Sequence, residues 1–196
     1  DAFPEAGEIT GGKKNKKGNG DRPDKGIETM FRITSTNNQR LSDMADKKAD
    51  ILITVNSILL SAILSLLIRR LESNTHLVIP TILILIVSAV TLIYAILATR
   101  PKIPNGVFTQ QDVKDKNVNL LFFGNFYKMN FEDYRQGMWK VMEDRDFLYG
   151  SLVRDVYSQG IVLGRKYKLL RVAYNVFMFG LITSILAFVI AIFSVV

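Results

Sequence analysis

The chain has no cysteine and one histidine, His76. The first absence excludes a disulfide framework and thiolate chemistry. The second all but excludes a metal centre built on imidazoles. Proline is scarce too, and none lies between Pro104 and the end of the chain. The third absence decides the class. No charged residue occurs from Ile51 to Ile68, from Leu77 to Thr99 or from Val172 to Val196. These runs hold 18, 23 and 25 residues, and roughly 20 helical residues cross a hydrocarbon core of about 30 Å. Backbone groups in lipid must satisfy one another within the segment, so each run is predicted to be a helix. The first run begins too far along the chain for a cleaved signal peptide.

What is present orders these spans. The chain carries 25 Lys+Arg against 18 Asp+Glu, a net charge of +7. Arg40, Lys47 and Lys48 precede span one, Arg100 and Lys102 follow span two, and Arg165, Lys166, Lys168 and Arg171 precede span three. Basic residues near span ends favour the cytoplasmic side. The predicted topology is therefore N-terminus cytoplasmic and C-terminus periplasmic, with a short external turn around Asn74 and with Arg69 and Arg70 snorkelling at the far interface.

The expected fold is all-α: a three-span transmembrane bundle with a small cytosolic helical domain between spans two and three. Residues 1–26, with GGKKNKKGNG, read as a disordered linker. It is either a tether from an upstream domain or a basic arm on anionic lipid. A chain that starts at Asp1 reads as a piece of something longer. Residues 27–50 are expected to form a cytosolic helix that continues into span one (51–68). Its 3-4 spaced seam is Ile27, Met30, Thr34, Asn37, Leu41, Met44, Lys48, Ile51, Val55 and Ile58. Span two covers 77–99, and residues 100–171 make the cytosolic segment. Within it, the apolar LLFFGNF from Leu120 to Phe126 is expected at the membrane edge or in the core of that domain. Phe131 to Asp146 reads as an amphipathic helix with Tyr134, Met138, Val141 and Met142 on one face. Phe147 to Arg171 is expected to join span three (172–196) as one helix extending ~35 Å or more from the membrane.

Small and hydroxylated residues at helical spacing are candidate packing positions: Ser57, Ser61 and Ser65 on span one, Gly180 and Ser184 on span three, and the GxxxG of Gly160 and Gly164 ahead of it. A pore lining is the sharper alternative, but a standing ion pathway or proton relay would place an ionisable group inside a span. Asp43, Asp46 and Asp50 alternate with lysines and read as solvated helix charge rather than a metal site. No nucleophile–base pair and no glycine-rich phosphate loop is present, so neither catalytic nor metal-binding residues are assigned. Arg135, Arg145, Arg154, Arg165 and Lys166 lie among Trp139, Tyr149, Tyr157 and Tyr167. Guanidinium groups grip phosphate and flat rings stack on bases, so this mixture suits a nucleotide.

MADKKADILITVNSILLS (Met44 to Ser61), NLLFFGNF (Asn119 to Phe126) and DRDFLYGSLVRDVYSQGIVLGRKYKLLRVAY (Asp144 to Tyr174) resemble the transmembrane effector domain of the Pycsar antiphage systems. The resemblance covers roughly Ile27 to the end. It implies a membrane effector in the bacterial inner membrane that responds to cyclic CMP or cyclic UMP and impairs that membrane. The cyclic pyrimidine nucleotide would be its activating ligand, with no other cofactor. Its partners would be further copies of itself and the lipid bilayer, with no nucleic-acid polymer. Some relatives carry an upstream HD-type phosphohydrolase domain. Arg154 and Lys166 are the expected phosphate ligands, and Tyr157 or Trp139 the base-stacking residue. The alternative role is a passive membrane anchor and oligomerisation module for an upstream catalytic domain.

Overall fold

The computed structural model describes residues 24–67, 74–101 and 119–194. Most of the linker 1–26, Arg69, Arg70, Lys102 and the polar stretch before Asn119 lie outside them. Helix α1 covers Asp24–Ala62 and closes in a π-helical turn, Ile63–Leu67. A 3-10 turn, Thr75–Leu77, leads into α2, Val78–Thr99. A short α3, Phe123–Phe126, precedes α4, Phe131–Glu143, and α5 runs unbroken over the 49 residues Arg145–Phe193. No strand occurs among the described residues. Among the described residues, three helices are long and apolar enough to cross a membrane, and almost all the described residues of the three uncharged runs fall on them or on the π-helical turn that follows α1.

Local chemistry sets the ends. Asn130 caps α4 by accepting the Glu132 amide at 3.1 Å, and Glu132 and Asp133 place negative charge on its first turn. The Glu132 carboxyl is held below its usual value of 4.5, chiefly by hydrogen bonds from Arg135 and then Gln136. Asp144 joins two helices: its amide donates to the Lys140 carbonyl, and its carboxylate accepts the Phe147 amide at 3.0 Å. With no proline in its sequence, α5 has nothing to break it. Pro80 sits in the first turn of α2, where a missing amide costs no helical bond. Inside the spans, hydroxyls donate to their own helix one turn back: Ser57 to Ile53, Ser61 to Ser57, Thr91 to Val87 and Ser184 to Gly180.

The three long helices pack on one another around small side chains. Ala45, Ala49 and Leu52 of α1, Ala95 and Ala98 of α2, and Leu170 and Ala173 of α5 form the buried cluster, flanked by Tyr94, Tyr167 and Phe177. Alanine brings the helix backbones close where larger residues would hold them apart. Hydrogen bonds join Ser35 to Gln159 and Ser42 to Lys166 at a constant separation of 124 residues, so α1 and α5 run parallel. Ascending α5 from Ala173 to Gly180 moves the contact down α2 from Ala95 to Val87, so α2 is antiparallel to both. The two helices α2 and α5 approach closely at Gly180, where an added Cβ would collide with the Val87 side chain.

The packing differs from the sequence pattern on α1 and decides between two placements of LLFFGNF. The seam through Met30, Met44, Ile51, Val55 and Ile58 is exposed in the chain, and α1 instead buries Ala45, Ala49, Leu52, Asn56 and Ile63. Both sets satisfy a 3-4 spacing; the inward one carries Ala45 and Ala49, which let α2 and α5 pack against α1. Of the two placements expected for LLFFGNF, the packing favours the core of the small helical head. Leu120 is buried with Val141 and Phe147, and Phe147 lies roughly 37 Å along α5 from Val172 at 1.5 Å per residue.

Candidate functional site: the polar seam between α1 and α5

Between the far end of α5 and its uncharged run, the α1–α5 contact is polar. Asp155 anchors the outer end: Asn119 donates to its Oδ1 at 3.2 Å and Gln159 to its Oδ2 at 2.7 Å. The same Gln159 amide nitrogen reaches Ser35 Oγ at 3.2 Å. Asn119 also ties the loop ahead of α3, accepting the Leu121 amide at 3.0 Å, while its carbonyl accepts from Asn125 at 2.7 Å. Seven residues on from Gln159, Lys166 donates to both oxygens of Asp46, at 2.9 and 2.7 Å, and to Ser42 Oγ at 2.9 Å. Its side chain is 18% exposed and that of Asp46 38%. The bridge is thus partly shielded, and charge-assisted bonds of this kind are stronger than neutral ones. Tyr167 then donates to the Leu41 carbonyl at 3.2 Å, and Tyr174 to the Lys48 carbonyl at 3.5 Å.

The spacing gives the seam its meaning. Ser35 and Ser42 are seven apart, as are Gln159 and Lys166, Leu41 and Lys48, and Tyr167 and Tyr174. These are successive heptad rungs of a parallel helix pair, polar rather than apolar. Polar rungs specify register, because sliding one helix past the other strands every donor at once. Three buried acceptors have no partner among the described residues: Gln159 Oε1 and Ser151 Oγ on α5, and Asn56 Oδ1 on α1. Asn56 is fully buried, and its Nδ2 donates to Leu52 O at 2.8 Å. Its unmet carbonyl is costly. The pair is therefore held in one register with part of its polar capacity unspent.

The four expected nucleotide ligands do not converge. Lys166 is engaged with Asp46 and Ser42. Tyr157 is 69% exposed and lies about 180° around α5 from Lys166, at 3.6 residues per turn. Arg154 is exposed one turn from Tyr157, and Trp139 is exposed on α4. Of the expected packing residues, Gly180 meets Val87, and Ser184 is buried with its hydroxyl on Gly180 O at 2.7 Å. Ser57, Ser61 and Ser65 are exposed. Gly160 and Gly164 are exposed too, with nothing within 4 Å of an added Cβ. The seam residues Ser35, Ser42, Asp46, Asp155 and Gln159 escaped sequence reasoning as a set. Their recurring seven-residue interval was the available signal. Among the described residues, no group of three or more His, Cys, Asp or Glu side chains is placed to hold a metal ion.

A family model described as the Pycsar effector protein domain matches residues 29–194. No curated protein matches the chain, and no solved structure does.

Proposed function

This chain belongs to the Pycsar effector family, and from that premise we propose that it is a signal-gated effector of bacterial antiphage defence that impairs the inner membrane when a cyclic pyrimidine nucleotide, cyclic CMP or cyclic UMP, binds it. The observation that carries this reading is the pair of unbroken helices. α1 and α5 each run from the end away from the bilayer into an uncharged span, and between them lies a polar seam that holds one register. A ligand shifts an equilibrium only by binding one arrangement better than another. Two rods locked in one register by polar rungs give a ligand an arrangement to favour or release and a rigid path into the membrane.

In this reading the basic residues and the small helical head lie in the cytosol, the N-terminus is cytoplasmic and the C-terminus periplasmic. Copies assemble side by side. The faces left open in one chain, Ser57, Ser61 and Ser65 on α1 and Gly160 and Gly164 on α5, support self-association, since small residues let neighbouring helices approach. No reaction is assigned to the chain itself. The test is dye release from liposomes containing the purified full chain. Release that starts on adding cyclic CMP or cyclic UMP supports the gated effector. Equal release with and without nucleotide refutes gating, and none in either case leaves the passive anchor.

A further inference from the structure

Where α1 and α5 enter their uncharged runs, an open groove of about 440 Å³ lies between them, lined by Lys48, Tyr167, Leu170, Arg171 and Tyr174. That volume falls within the range of about 300–1,000 Å³ usual for ligand sites. Leu170 is buried at its floor. Tyr167 and Tyr174 are tethered through their hydroxyls to carbonyls of α1, which fixes the rings as walls. Lys48 and Arg171 are exposed at its rim, and neither side chain makes an ion pair among the described residues. Two exposed cations at one rim, without an ion pair among the described residues, suit an anionic oxygen group with an apolar body when they stand beside fixed aromatic walls.

The depth of the groove names its occupant. Arg171 is the last charged residue before Val172, and Lys48 stands three residues before Ile51, so both sit at the level of lipid headgroups. Below Lys48 on the same side of α1, Ile51, Val55 and Ile58 are exposed. Below Arg171 on α5, Met178 and Ile182 are exposed. A cationic rim above two apolar tracks matches a molecule with a phosphate above hydrocarbon chains, and a free nucleotide has no use for the tracks. We propose that this groove binds one anionic phospholipid, its phosphodiester between Lys48 and Arg171 and its acyl chains along the exposed tracks. The lipid bridges α1 and α5 just below the polar seam, at the point where any movement of the seam enters the bilayer. This proposal does not rest on the messenger reading.

The test uses the full chain in nanodiscs of phosphatidylcholine alone or mixed with phosphatidylglycerol, followed by native mass spectrometry of retained lipid. Wild type should retain phosphatidylglycerol over phosphatidylcholine by at least about tenfold, equivalent to ~1.4 kcal/mol. The double variant K48Q/R171Q should lose that preference. Lys168→Gln, an exposed cation that does not line the groove, should keep it, and K48R/R171K should restore most of it. An unselective wild type, or a double variant as selective as wild type, overturns the proposal. Displacement of retained phosphatidylglycerol by cyclic CMP or cyclic UMP overturns the lipid assignment in favour of the soluble messenger. Dye release on nucleotide addition is a separate readout, so either idea can fail alone.

Discussion

Three glycines of α5 receive opposite expectations from one substitution. At Gly180 a new Cβ would collide with Val87 Cγ1 and stand 2.6 Å from its Cγ2, closer than real carbon atoms come. Val87 has little room to yield, because a β-branched side chain in a helix is nearly confined to one rotamer. Overpacking of this kind costs about 1–3 kcal/mol. The substitution also gains up to about 1 kcal/mol of helix propensity. Gly180→Ala should therefore destabilise by roughly 1–2 kcal/mol, the clash outweighing the propensity gain. At Gly160 and Gly164 nothing lies within 4 Å of the added atom, so only the propensity gain remains. Each alanine there should stabilise by up to about 1 kcal/mol. Reversible unfolding in micelles, followed by far-ultraviolet circular dichroism, measures all three. Adding Val87→Ala should remove most of the Gly180→Ala penalty, a coupling within the ~0.5–3 kcal/mol seen for touching residues. A Gly180→Ala protein as stable as wild type, with no coupling to Val87, would refute the close α2–α5 approach. Losses at Gly160 or Gly164 would show that this face is covered in the unfolding species, as self-association requires.

Other expectations follow from the seam and the head. Lys166→Met removes three hydrogen bonds to Asp46 and Ser42; allowing for the partial exposure of Asp46, it should cost about 1–2 kcal/mol, and an unchanged unfolding midpoint would count against the bridge. Asn56→Val removes a fully buried carbonyl oxygen that has no partner among the described residues. It should raise stability by about 1 kcal/mol, and a clear loss instead would mean the amide makes a bond that holds the bundle together. The Glu132 carboxyl should titrate below 4.5 by NMR, and Arg135→Gln should move it back up. Because its folded pKa is depressed, its stabilising contribution to α4 is present above the unfolded value and fades as pH falls through the folded one.

The spans were legible because exclusion of charge over a whole run is a property of sequence alone. The long α5 was legible for a similar reason, since nothing in it breaks a helix. The seam was not. Ser35, Asp155 and Gln159 each look like solvated helix surface, and Asp46 pairs with a lysine 120 residues away. Only the shared register of two helices reveals that pairing, and register is set by tertiary packing. The inward face of α1 was hidden because isoleucine outranks alanine in any apolar count. Where one side of a helix meets lipid, the larger apolar residues are free to face outward and the smaller ones make the contact. The composition of LLFFGNF left its place open between a membrane edge and a helical core, because an apolar run suits both; only packing shows that Leu120 is buried while Leu121 and Phe123 are not.

The close contact of Gly180 with Val87 also has a mechanical consequence. Were α5 to tilt about that contact once the α1–α5 bonds let go, the contact would serve as the fulcrum of a beam. From Gly180 back to Arg145 the beam measures about 52 Å at 1.5 Å per residue. A tilt of about 5° about that point sweeps the far end through roughly 4–5 Å, whereas the last turns before Phe193, about 20 Å away on the other side, swing by under 2 Å. Leverage thus runs from a generous stroke at the aqueous tip to a short, forceful one within the bilayer.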